Sequence, residues 1–80
     1  MDFRLLEQCK AGDSAAVENF VQMCQREVYC LALSILDDSH EAEDATQESL
    51  LAALRALDSF QGAASLKTWL FSITVNTCRT

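Results

Sequence analysis

Eighty residues are enough for one domain, and a chain this short buries only roughly 60% of the surface its unfolded form exposes, which leaves room for one modest core. Half of the residues are apolar, Pro is absent and Gly occurs twice, so helices are favoured over strands and the expected class is all-α, a compact bundle of about four helices over residues 1–80. The net charge of −6 argues against a domain that grips duplex DNA by charge alone, since such domains carry a strong basic patch.

The opening MDFRLLEQCK has an acid at Asp2 and no long apolar run behind a basic end, so it does not read as a secretory signal. Phe3, Leu6 and Cys9 recur at helical spacing and Gly12 stands where a helix stops, which predicts a first helix over residues 3–11. Asp13 or Ser14 then caps a second helix. Its stripe of Val17, Phe20, Val21, Cys24, Val28, Leu31 and Ile35 advances by threes and fours over about six turns and predicts the spine of the core. YCLALSIL, the longest mostly apolar stretch, falls far short of the ~20 residues that span a bilayer, so no membrane insertion and a cytoplasmic location are expected.

Asp37, Asp38 and Ser39 interrupt the pattern, with Asp38 or Ser39 as the next cap. Ala42, Ala45, Leu50, Leu54 and Leu57 then mark the inner side of a third helix that runs to about Asp58. Residues 59–64, SFQGAA, read as a loop. Ser65 caps a fourth helix in which Leu66, Trp69, Leu70, Ile73 and Thr77 share a side. No glycine or proline closes this helix before Thr80, which reads as the end of a fragment of something longer.

Cys9, Cys24, Cys30 and Cys78 include no CxxC pair and accompany a single His, so neither a zinc site nor a disulfide framework has its spacing. On one helix Cys24 and Cys30 lie about 120° apart around the axis and cannot bridge. Buried, reduced thiols are expected, with no metal and no cofactor. His40-Glu41 is not the start of a metalloprotease motif, because Asp44 stands where the second His belongs. No Ser sits in a strand-to-helix elbow and no glycine-rich phosphate loop is present, so catalysis is not expected.

Charge is unevenly placed. Residues 37–59 hold Asp37, Asp38, Glu41, Glu43, Asp44, Glu48 and Asp58 against Arg55, whereas residues 60–80 hold Lys67 and Arg79 with no acid. The helix macrodipole accounts for Glu41 and Glu43 near an N-terminus but not for Glu48. Asp44, Gln47, Glu48 and Leu51 fall at i, i+3, i+4 and i+7, an acid, amide, acid and exposed apolar group on one strip. Such a strip suits docking against a basic helix, and a solvated face is the simpler alternative; the residues alone leave both open. FQGAASLKTWLFSITVN joins a small-residue loop to aromatics, Lys67 and a run of hydroxyls, which can admit a nucleotide, hold an unstacked base and meet phosphate. Trp69, on the side of Ile73, also reads as core.

The succession LLEQCKAGDSAAVENFV, VYCLALSILDDSHEAEDATQESLLAALRALDSF and GAASLKTWLFSITVNTCR resembles region 2 of the extracytoplasmic-function (ECF) sigma factors of bacterial RNA polymerase over essentially all 80 residues. The resemblance implies a bacterial, cytoplasmic, non-enzymatic transcription initiation domain that docks on the basic clamp-helix coiled coil of the polymerase's largest subunit. By matching position Asp44, Gln47, Glu48 and Leu51 would make that contact. The resemblance further implies recognition and melting of the promoter minus-ten element, with a base of the non-template strand flipped into a pocket by the loop. The matching positions there are Gln61, Gly62, Ala63, Ala64, Ser65 and Lys67 in and after the loop, with Asn76 and Arg79 on the last helix and Trp69 as support.

Where relatives often carry Arg, this chain has Gln61, Ser72 and Val75, so DNA affinity of the isolated domain should be weak. Region 4, which reads the minus-thirty-five element in the family, has no counterpart in these residues. An anti-sigma factor is a further partner the resemblance allows, and a sigma-like decoy that binds one without touching DNA is the alternative reading. A monomer is expected.

Overall fold

The computed structural model describes the backbone of residues 3–60 and 65–79, and side chains from residue 7 onward within those ranges. Four helices make up nearly all of it: α1 (Phe3–Lys10), α2 (Ser14–Leu36), α3 (Ser39–Arg55) and α4 (Leu66–Arg79), with a single 3₁₀ turn at Leu57–Ser59. The expected all-α bundle of about four helices is what forms. No helix among the described residues is long and apolar enough to cross a membrane.

The boundaries follow local chemistry. Gly12, at φ +87°, takes the left-handed conformation that ends α1 and lets the chain turn into α2. Asp13 is the N-cap of α2, its carboxylate accepting from the N–H groups of Ala15 at 3.0 Å and Ala16 at 3.2 Å. At the other end Asp37 adopts φ 54° and its N–H donates to the Leu33 carbonyl, a left-handed C-cap. Asp38, not Ser39, caps α3, accepting from the Glu41 N–H at 3.0 Å. α3 ends at Arg55, sooner than the sequence suggested, and Leu57 reaches the core from the 3₁₀ turn instead.

α2 is the spine, packed against by each of the other three helices. Its buried line is Ala16, Phe20, Cys24, Val28 and Ala32, every fourth residue, with Val17 and Val21 half-buried beside it. A spacing of four overshoots the helical repeat by about 40° per step, so the line winds around α2 as its partners change. One main core gathers Cys9, Phe20, Cys24, Val28, Leu50, Ala53, Leu57, Phe60 and Leu70; a second, smaller one joins Ala32, Ala42 and Ala45 under Tyr29, Leu33, Leu36 and Cys78. Ile35, expected in the stripe, is 42% exposed. Leu33 and Leu36 take the packing there, because the small second core needs only one side of the last turn.

The inner side of α3 is made of small residues. Ala42, Ala45, Thr46, Ser49, Leu50 and Ala53 are buried, which lets α2 and α3 approach closely. The two hydroxyls satisfy themselves within the helix: Thr46 Oγ1 donates to the Ala42 carbonyl at 2.7 Å and Ser49 Oγ to the Ala45 carbonyl at 2.6 Å. Thr74 Oγ1 on α4 does the same with Leu70 at 3.1 Å. The sequence reading missed all three as core residues; their place in register with buried alanines or Leu70 was the available signal.

Candidate functional site

The buried side of α3 fixes what its outer side presents. With Ala45, Ser49 and Ala53 turned inward, Asp44, Gln47, Glu48 and Leu51 all face solvent, and Leu51 keeps 52% of its surface exposed. Residues three and four apart on a helix have Cβ atoms about 5–6 Å from one another, so the four form one continuous strip. Among the described residues neither Asp44 nor Glu48 has a side-chain hydrogen bond or ion pair.

The strip is also the edge of a furrow. Glu43, Thr46 and Gln47 line an open groove of about 480 Å³ against Gln22, Gln25, Arg26 and Tyr29 of α2. A second hollow of about 310 Å³ shares Gln25, Thr46 and Gln47 with it and continues along Val21, Leu50, Leu51 and Leu54. The sequence reading overlooked this α2 wall. Gln22, Gln25, Arg26 and Tyr29 stand at i, i+3, i+4 and i+7, the same spacing as Asp44, Gln47, Glu48 and Leu51, and that repeated polar strip was the signal.

The second expected site, the loop expected over residues 61–64 and the helix after it, is anchored where the described chain reaches Phe60. Phe60 is buried, its ring 5.1 Å from Trp69 at 43°, and its carbonyl accepts from the Lys10 ammonium at 3.1 Å. α1 and α4 therefore hold the point where the chain enters the loop. Trp69 is only half-buried and packs on the main core, as support for Phe60 and not as a fully enclosed residue. Gln61, Gly62, Ala63 and Ala64 lie outside the described residues. Ser65 caps α4, its Oγ accepting from the Thr68 N–H at 3.1 Å and donating to Thr68 Oγ1 at 2.7 Å.

The remaining expected DNA contacts are exposed but do not share one side of α4. Asn76 and Arg79, three residues apart, lie within about 60° of each other, whereas Lys67, nine residues before Asn76, points about 180° away from it. Lys67 turns to α2 instead: its Nζ is 3.5 Å from Glu27 Oε2 and 5.7 Å from the centre of the Phe71 ring. Of the positions where relatives often carry Arg, Ser72 is exposed with its hydroxyl donating to the Trp69 carbonyl at 2.7 Å, and Val75 is half-buried.

Cysteine burial is mixed. Cys9 and Cys24 are buried, Cys78 is half-buried, and Cys30 is exposed, which corrects the expectation that every thiol is inside; all four are free. Cys30 points outward because it lies outside the every-fourth-residue line that α2 buries. Burial pushes the Cys24 thiol up to about 11, with the Glu27 carboxylate adding to the effect. Cys9 is raised by burial and then by Asp13, and Cys78 by burial. No cluster of three His, Cys, Asp or Glu able to hold a metal ion occurs among the described residues.

Comparison with known proteins agrees with this architecture. The sequence profile of the family Sigma-70 region 2 matches residues 20–80. The RNA polymerase sigma-H factor of Pseudomonas aeruginosa is 35% identical over 78 residues, 98% of this chain and 40% of that protein. The ECF RNA polymerase sigma-E factor of Salmonella typhimurium is 40% identical over 75 residues, 94% of this chain and 39% of that protein. The chain thus spans about two fifths of the length of these curated relatives. An engineered region 2 of sigmaE, solved by NMR in complex with GTAAAA, superposes with a TM-score of 0.86 at 33% identity, covering 99% of this chain and 87% of that one.

Proposed function

This chain belongs to the Sigma-70 region 2 family, among the ECF sigma factors, and on that footing we propose that it docks on bacterial RNA polymerase and opens promoter DNA at the minus-ten element. Proteins of this family are transcription initiation factors and not enzymes, so the work is done by binding. The observation that carries the docking reading is the outer strip of α3. Asp44, Gln47, Glu48 and Leu51 are exposed together while the opposite side of the same helix is fully committed to the core. A basic coiled coil, as the clamp helices of the family's polymerase provide, would find two carboxylates unpaired among the described residues for steering and charge-assisted hydrogen bonds, with Leu51 as the apolar contact beside them.

The DNA reading draws on the likeness to the sigmaE domain bound to GTAAAA, together with the anchoring of Phe60. Phe60 and Trp69 brace the loop entry, Gln61, Gly62, Ala63 and Ala64 would let a flipped base approach the backbone, and Ser65, Lys67, Asn76 and Arg79 would meet the strand. Extruding a base costs a few kcal/mol, more than so few cations can offset alone, so polymerase contacts must contribute.

Titration of this chain with an isolated clamp-helix fragment tests the docking reading, with Asp44→Arg/Glu48→Arg as its partner. The wild type should bind, and the double reversal should weaken binding by at least about thirtyfold with the fold intact. Absence of binding by the wild type would sink the reading.

A second reading, a sigma-like decoy for an anti-sigma factor, is favoured by one observation: the cation in the first turn of α4 is already paired to Glu27, and Gln61, Ser72 and Val75 supply no replacement. Promoter opening by polymerase reconstituted with this domain excludes the decoy, which would give none.

A further inference from the structure

α2 and α4 enclose an open hollow of about 540 Å³ lined by Arg26, Glu27, Cys30, Leu31, Lys67 and Phe71. Glu27 is its acid, and it meets Lys67 across the hollow at 3.5 Å. α4 carries Lys67 and Arg79 and no acid of its own, so any compensation of its first-turn cation has to come from another helix. Glu27 supplies it from 40 positions earlier in the chain. Both side chains are more than half exposed, at 62% for Lys67 and 52% for Glu27, so the pair is weak as a stabiliser of the fold and open to exchange with a competing anion.

We propose that Glu27 is an internal competitor for nucleic-acid phosphate: it holds Lys67 on the α2 side and thereby lowers the affinity of the domain for the single strand. The inference rests on the DNA-binding reading above and adds a residue to it. For Lys67 to meet a phosphate it must first leave Glu27, and the exchange trades one anion for another. While Lys67 stays on Glu27 it neutralises no phosphate and releases no counterion from the strand, so in the wild type it contributes little to the salt dependence of binding. The neighbouring Phe71 ring, 5.7 Å from Nζ, favours the held position further.

The test measures affinity for a GTAAAA-type single strand at several salt concentrations. Wild type is compared with Glu27→Gln, Glu18→Gln and Glu27→Gln/Lys67→Gln, with melting curves confirming the fold of each. Glu18 is exposed and nine residues before Glu27, on the opposite side of α2, and controls for the change in net charge alone. Glu27→Gln should bind about three- to tenfold more tightly at low salt, with the slope of log K against log salt steeper by about 0.7, the share of one added phosphate contact on a single strand. Glu18→Gln should match the wild type, and Lys67→Gln should erase the gain. Equal affinity of Glu27→Gln and Glu18→Gln overturns the proposal while leaving the DNA reading standing, as does a gain that survives Lys67→Gln. If no variant binds the strand, the DNA reading falls and the competitor role falls with it.

Discussion

The outer side of α3 and the beginning of α4 are both charged surfaces, but the fold treats them differently. On α3, Asp44 and Glu48 stand in solvent without a side-chain partner among the described residues, and the helix is held by what lies beneath them. On α4, Lys67 is drawn to α2 and Trp69, two positions on, packs against Phe60 and the main core. The α3 strip can therefore be altered without disturbing the core, whereas changes at the start of α4 would alter the proposed DNA contact and the packing together. A surface whose charges have no internal role is the easier one to assign to a partner.

The sharpest break in this comparison is expected between the two sides of α3 itself. Leu50→Ala, on the buried side, should destabilise the domain by about 3 kcal/mol in urea unfolding, through lost transfer energy and the cavity left behind. Trp69→Ala should cost less, about 2 kcal/mol, because the ring is half-buried and much of its surface already meets water. A loss as large as that of Leu50→Ala would place Trp69 fully in the core, and a negligible one would assign it to the recognition surface. The Asp44→Arg/Glu48→Arg pair should shift unfolding by less than about 0.5 kcal/mol, and any larger change would show the strip to be structural.

A pH-dependent effect concerns the main core beneath both surfaces. The Cys24 thiol has an ordinary value of 9.0 and is pushed up to about 11 in the fold, so folding disfavours its thiolate. A group whose folded value is raised contributes stability that is complete below the unfolded value and is lost as pH climbs toward the folded one. Stability should therefore decline between about pH 9 and about pH 11, and Cys24→Ala should flatten that part of the pH profile.

Much of the fold was legible because it is locally encoded. Asp13 and Asp38 cap the helices they precede, Gly12 takes the conformation a side chain resists, and Phe20, Cys24 and Val28 follow the helical repeat. The α3 strip was legible for the same reason, since four positions on one helix fix their own geometry. The α4 set was not. Lys67, Asn76 and Arg79 share a helix, but their separations of nine and three residues place Lys67 on the far side from the other two. The wall contributed by Gln22, Gln25, Arg26 and Tyr29 was not legible either, because a polar strip on α2 becomes a groove only where α3 lies beside it.

By itself the sequence determined, to within a residue, where α2, α3 and α4 begin and which family the chain resembles, because caps, periodicity and motif spacing are properties of neighbouring residues. Only the tertiary structure decided that Thr46, Ser49 and Thr74 are buried, that Ile35 and Cys30 are not, and that Glu27 meets Lys67. Each of those outcomes depends on which side of one helix another helix covers. That choice is made by close packing of small residues between α2, α3 and α4, a relation between segments distant in the chain that no local pattern records.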